Sequence, residues 1–105
     1  LIETTHIHFL DTCIKIIAEH HEKWDGSGYP KGLKGEEISI PGRIVAISDV
    51  FDALISERVY KPAFPPEKAF EIIEQGKGKH FWPKMVDIFL DSKDEIIQIM
   101  NSYRD

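Results

Sequence analysis

Three sets of side chains in this sequence are of types that do chemistry together. His20 and His21 are adjacent, and they open the run His-His-Glu-Lys-Trp-Asp-Gly-Ser-Gly-Tyr-Pro from His20 to Pro30. Asp49 stands in the otherwise apolar stretch Ile44-Val45-Ala46-Ile47-Ser48-Asp49-Val50-Phe51. Arg58 and Lys61 follow a short way beyond it. Two imidazoles and one carboxylate form a mixed nitrogen and oxygen ligand set, which suits iron, manganese, nickel or zinc rather than calcium. Successive residues on a helix diverge by about 100°. An adjacent histidine pair on a helix therefore reaches two ions side by side more easily than one, and it favours a multinuclear centre. Arg58 offers planar bidentate donors and Lys61 a point charge, a pairing suited to clamping phosphate. Trp24 and Tyr29 sit in the glycine-rich loop beside the histidines, where aromatic rings can stack on a nucleotide base.

Each set also has a plainer reading. Asp49 could cap a neighbouring backbone or pair with Arg43 or Arg58. One histidine could be a satisfied core residue and the other a cation at a helix C-terminus. Gly26, Gly28 and Gly32 could serve only backbone positions of positive φ in a connector. Arg58 and Lys61 could form a solvated basic helix end. His6, His8 and His80 read as surface or packing histidines, and Cys13 as a small buried hydrophobe.

The elements that must position these groups are helical. Ile7, Leu10, Ile14, Ile17 and His21 recur at intervals of three and four, which predicts a helix over 6–21 with both histidines toward its buried side. Residues 22–42 hold five of the seven glycines and two of the six prolines, and no period survives there. This is a long ordered loop, of the kind that carries function. Pro41 restarts a helix. Residues 42–57 are apolar almost all round, which predicts a central helix. Pro62, Pro65 and Pro66 break the chain, and Pro66-Glu67 opens a helix to about Gln75 with Ala69, Ile72 and Ile73 inward. Pro83 opens another with Met85, Val86, Phe89 and Leu90, and 93–103 forms the last. The fold class is all-α, a compact bundle of about five helices with one long ordered loop.

With 105 residues the chain makes one small domain. Its composition, 42% hydrophobic and 30% charged, is that of a soluble globular protein. The net charge of −5 does not recruit a nucleic acid polymer, so an anionic ligand needs a local basic cluster. A single cysteine allows no internal disulfide and fits a reducing, cytoplasmic compartment. No apolar run reaches the ~20 residues that span a bilayer, and the N-terminus does not read as a signal peptide. It opens on Leu1-Ile2-Glu3 without methionine, which suggests a piece of something longer.

The run from His20 to Pro30, the run Arg43-Ile44-Val45-Ala46-Ile47-Ser48-Asp49-Val50-Phe51-Asp52-Ala53-Leu54 and the run Glu57-Arg58-Val59-Tyr60-Lys61 together closely resemble the HD-GYP domain. That family is a bacterial branch of the HD metal-dependent phosphohydrolases, whose members degrade the second messenger cyclic di-GMP. The resemblance extends from about residue 7 to the C-terminus, and three motifs in the right order make it specific. It implies that His20, His21 and Asp49 are metal ligands of a bi- or trinuclear divalent centre, usually iron or manganese. Gly28, Tyr29 and Pro30 match the loop that names the family. Arg58 and Lys61 match basic residues that hold substrate phosphate, and Asp52 matches a supporting position. The activity implied is metal-assisted hydrolysis of cyclic di-GMP to pGpG or GMP, in signal transduction and often downstream of a response-regulator receiver or another sensory domain.

Two features depart from the family pattern. No His-Asp dipeptide occurs in the chain, whereas the family's His-Asp dyad, a nearby lysine and a further ligand histidine lie upstream of the histidine pair. Residues 1–105 are therefore expected to be a partial HD-GYP domain that lacks the upstream His-Asp helices, with an incomplete metal centre, weak metal occupancy and no activity alone. Before Pro83 the family often has Asp where this chain has Trp82. The alternative is a non-catalytic interaction or regulatory module that contacts a diguanylate cyclase or another regulator through the GYP loop. A homodimer formed through an exposed face is a further expectation.

Overall fold

The computed structural model describes residues 4–57 and 61–103. They form five α-helices: α1 over Thr4–Glu19, α2 over Ile40–Ile55, α3 over Pro66–Gln75, α4 over Pro83–Asp91 and α5 over Lys93–Ser102. A single 3₁₀ turn, Gly35–Glu37, interrupts the long loop between α1 and α2. Two isolated bridges, Asp25 with Lys34 and Lys77 with Phe81, are the β-type pairings among the described residues. The expected all-α architecture is borne out.

Proline placement explains where three helices begin. Pro66 and Pro83 are the first residues of α3 and α4, and Pro41 is the second of α2. A missing N–H costs nothing in the first turn, where that group has no helical partner, and the fixed φ is already helical. Ser39 caps α2, its hydroxyl accepting from the Gly42 N–H at 3.2 Å.

Helices α2, α3 and α4 enclose the core. Ala46, Ile47 and Phe51 of α2 pack with Ala69, Phe70 and Ile73 of α3, with Phe81, and with Val86 of α4. Phe51, Phe70 and Phe89 form an aromatic triangle with centroids 5.0–5.6 Å apart, in the tilted and edge-on geometries that rings prefer. Phe70, which the apolar spacing of α3 does not single out, is among its three buried residues.

Two expectations about burial are corrected. The α2 helix is not buried all round. Its buried line runs through Gly42, Ala46, Ile47 and Phe51, whereas Ile40, Ile44 and Asp49 are exposed. Asp49 lies three residues beyond Ala46, roughly 60° round the axis, at the flank of the packed face, so it needs no buried partner. The apolar stripe of α1 is also not a core face. None of its residues is buried, and Ile7, Leu10, Ile14 and Ile17 are exposed along with Phe9. Cys13 is half-buried rather than buried. Among the described elements, α1 packs mainly on α2, and the Ser39 N–H donates to the Glu19 carboxylate at 2.6 Å where the two meet.

Candidate metal and ligand site

Helix α1 stops at Glu19, two residues short of its predicted end, and His20 and His21 occupy the turn that follows. The divergence of neighbours on a helix does not apply there. Their ring centroids are 3.9 Å apart, with the planes tilted by 43°. The helical argument for two ions thus loses its premise, and the pair can face one region of space. His20 Nδ1 lies 2.8 Å from the Ile17 carbonyl oxygen. A carbonyl can only accept, so Nδ1 donates, and in the neutral ring the free lone pair is then on Nε2. Histidines that ligate metals are commonly held in this way.

The loop folds back over the second histidine. The Tyr29 N–H donates to the His21 carbonyl at 3.2 Å, and the Tyr29 ring stacks on the His21 ring with centroids 4.6 Å apart and planes 18° apart. Gly28 makes this approach possible. A Cβ there would collide with His21 O, Lys23 N and Glu22 Cα. Its role is close approach rather than positive φ, which Gly26 and Gly32 supply at 86° and 66°. The Tyr29–Pro30 bond is cis.

Glu22 closes the loop. It is the one buried charged side chain among the described residues, at 2% exposure. Its two carboxylate oxygens accept the backbone N–H groups of Lys31, at 2.9 Å, and Leu33, at 2.8 Å. Composition offered a signal for this residue: a glycine-rich loop has backbone donors to satisfy, and a carboxylate at its start can satisfy them. At the exposed tip the Asp25 carboxylate accepts from Ser27 Oγ at 2.6 Å and from the Ser27 N–H at 2.9 Å. The Ser27 side-chain bond, followed by the Ser27 backbone bond, holds Asp25 below its ordinary value of 3.8.

Trp24 does not line the depression shared by the histidines and is engaged elsewhere in the protein. It lies parallel to Trp82, with centroids 6.1 Å apart. The Arg43 guanidinium sits 5.5 Å from the Trp24 ring and 4.7 Å from the Trp82 ring. Arg43 also donates to the carbonyls of Ile38, at 2.8 Å, and Glu36, at 3.1 Å. The cation–π contacts tie the loop to α2 and α4 and give Trp82, the departure before Pro83, a structural occupation.

His20, His21, Tyr29 and Asp49 line one depression of about 400 Å3, together with Lys23, Ala46, Val50, Ala53 and His80. Among the described residues no three His, Cys, Asp or Glu side chains gather closely enough to enclose an ion. The candidate ligands therefore share a cavity without closing on one point. Gly28 and Pro30 shape the loop but do not line the cavity. Lys61 is not brought to it either: its ammonium donates to the Pro62 carbonyl at 3.0 Å and lies 5.0 Å from the Phe64 ring. Arg58 lies outside the described residues. Asp52 does support its helix end, its carboxylate accepting from Ser56 Oγ at 3.3 Å.

Sequence reasoning missed His80 as part of this cavity. It is half-buried, and burial holds it below the ordinary histidine value; Lys23 pushes the same way and Asp25 partly opposes. The tie that brings it here is tertiary. The Trp24 N–H donates to the His80 carbonyl at 3.1 Å, and the Asp25 N–H to the Lys79 carbonyl at 2.8 Å.

Comparison with known proteins places this arrangement. The family model described as HD domain matches residues 2–85. The chain belongs to the HD domain family. Among curated HD-type relatives, a cyclic di-GMP phosphodiesterase of Vibrio cholerae is 50% identical over 97 residues, covering 92% of this chain and 20% of the relative. A 3'3'-cGAMP-specific phosphodiesterase of the same organism is 52% identical over 91 residues, covering 87% of this chain and 17% of its own length. A cyclic di-GMP phosphodiesterase response regulator of Xanthomonas campestris is 42% identical over 95 residues, covering 90% and 25%. These findings bear out the HD-GYP resemblance. This HD domain chain spans about a fifth of the length of the first of these relatives. No helix among its described residues is long and apolar enough to cross a membrane.

Proposed function

We propose that this chain is the histidine-pair and GYP-loop portion of a cytoplasmic, metal-dependent cyclic di-GMP phosphodiesterase, and that residues outside 1–105 supply the remaining ligands. The observation that carries the reading is the single depression lined by His20, His21, Asp49 and Tyr29, with the Nε2 of His20 left free by the Nδ1 bond to Ile17. The donor set fits a divalent ion, iron or manganese. His20 Nε2, the His21 imidazole and the Asp49 carboxylate would hold it, in a centre of two or three ions. Bound ions of this type supply Lewis-acid activation of water and neutralise charge on a phosphodiester. The chain's own residues do the rest. The Ile17 carbonyl fixes the His20 tautomer, Tyr29 fixes the His21 ring, and Arg58, as the family resemblance implies, holds substrate phosphate.

The test uses the full-length protein loaded with manganese or ferrous iron. Cyclic di-GMP should be hydrolysed to pGpG or GMP, and His20→Ala and Asp49→Asn should each lower kcat by at least about a hundredfold. Unchanged hydrolysis in both variants overturns the ligand assignment. Preferential cleavage of 3'3'-cGAMP overturns the choice of substrate. One observation favours a second reading, the non-catalytic module: the described donors do not enclose an ion. Full-length protein that takes up no metal and cleaves neither dinucleotide, yet binds a diguanylate cyclase through the GYP loop, establishes that reading instead.

A further inference from the structure

The depression has a wall that the proposed chemistry does not use. His80 lines it beside Lys23, and Ala46, Val50 and Ala53 of α2 add a patch of small apolar side chains. The His80 ring is held flat against Phe81, with centroids 4.3 Å apart and planes 11° apart. Its backbone is pinned on both sides. The His80 carbonyl accepts from Trp24, and the Phe81 N–H donates to the Gly76 carbonyl at 3.1 Å. No polar side-chain atom is both buried and unpartnered among the described residues, so a His80 ring nitrogen that bonds no protein group is accessible to solvent. A rigid imidazole with an accessible nitrogen in the lining of a cavity is a prepositioned recognition group.

The chemistry of the wall selects what it recognises. Burial and Lys23 both favour the neutral ring of His80, and a neutral imidazole offers a phosphate no charge. Lys23 is exposed on the same wall and supplies that charge. The small apolar side chains of α2 suit the flat face of a heterocycle. We propose that His80 is a substrate-contacting residue that hydrogen bonds the edge of a purine base in this depression. The inference rests on the nucleotide reading above and names the part of the ligand that this wall receives.

The experiment uses the full-length protein with manganese and measures binding of GMP, cyclic di-GMP and ribose 5-phosphate by calorimetry. His80→Phe keeps the stacking on Phe81 and removes both nitrogens, and His80→Asn keeps a donor and an acceptor. His80→Phe should weaken GMP about tenfold, the loss expected for a hydrogen bond left unmade in a shielded site. Affinity for ribose 5-phosphate and metal content should not change, and His80→Asn should recover most of the GMP affinity. Unchanged GMP binding by a folded His80→Phe protein overturns the proposal. Equal weakening of ribose 5-phosphate, or loss of metal, overturns it too, because the contact then lies elsewhere. Wild-type protein that binds neither nucleotide removes the functional reading itself, whereas wild-type binding with an indifferent His80→Phe removes the contact alone.

Discussion

Tyr29 is fastened to His21 twice, by a backbone hydrogen bond of 3.2 Å and by parallel rings 4.6 Å apart. The loop and the candidate ligand are therefore one mechanical unit. Ring stacking of this kind is worth about 0.5–1.5 kcal/mol. Tyr29→Ala should weaken manganese binding by the full-length protein several-fold, and Tyr29→Phe should not. Calorimetric metal titration of the two variants checks this, and equal affinities would show that the ring does not hold His21.

Gly28→Ala tests the close approach directly. The added Cβ meets backbone atoms of His21, Glu22 and Lys23, which cannot rotate aside as a side chain can. We expect a loss of more than about 2 kcal/mol, or a fall in Tm of at least about 8 °C for a domain of this size. Thermal unfolding followed by circular dichroism measures it.

Glu22→Gln should separate hydrogen bonding from packing. The amide keeps one acceptor oxygen and turns an NH2 group toward the other backbone donor, so one of the N–H groups of Lys31 and Leu33 loses its partner. An unpartnered buried donor costs about 1–3 kcal/mol, and Glu22→Ala, which strands both, should cost more. Urea denaturation ranks the variants. Trypsin cleavage after Lys31 should accelerate in the same order.

The Asp25 pair gives a prediction in pH. Its folded-state value lies below the unfolded one, so the stabilisation it brings is complete above pH 3.8 and is lost as pH falls through the lowered value. Ser27→Ala removes the leading cause of the shift. The Asp25 carboxyl, followed by NMR, should then titrate at higher pH than in the wild type, with the Ser27 backbone bond still holding it down; an unchanged midpoint would assign the shift to another neighbour.

Much of the framework was legible because proline is a local signal: Pro41, Pro66 and Pro83 mark helix starts without reference to anything distant. The end of α1 was not, since His20 and His21 carry no glycine or proline to break a helical pattern that continues through them. The exposure of Asp49 was misread for a related reason. Ile40 and Ile44 make α2 look apolar on every side, yet only one side meets α3. His80 escaped notice because its place depends on the pairing of Trp24 with a segment far along the chain, which no periodicity encodes. The contacts of Trp24 with Trp82 and Arg43 are likewise tertiary, and the sequence cannot reveal them.

Helix α1 places none of its sixteen residues in the core, yet the histidine pair begins where it ends. Local opening is easiest where little apolar surface is buried, so amide hydrogens of α1 should exchange with solvent sooner than those of α2 or α3. A cation shared between the histidine turn and Asp49 would staple that weakly anchored helix to the core, with a stabilisation that grows with the logarithm of metal concentration. Hydrogen exchange along Ile7–Glu19 would then serve as a gauge of site occupancy, readable without any substrate.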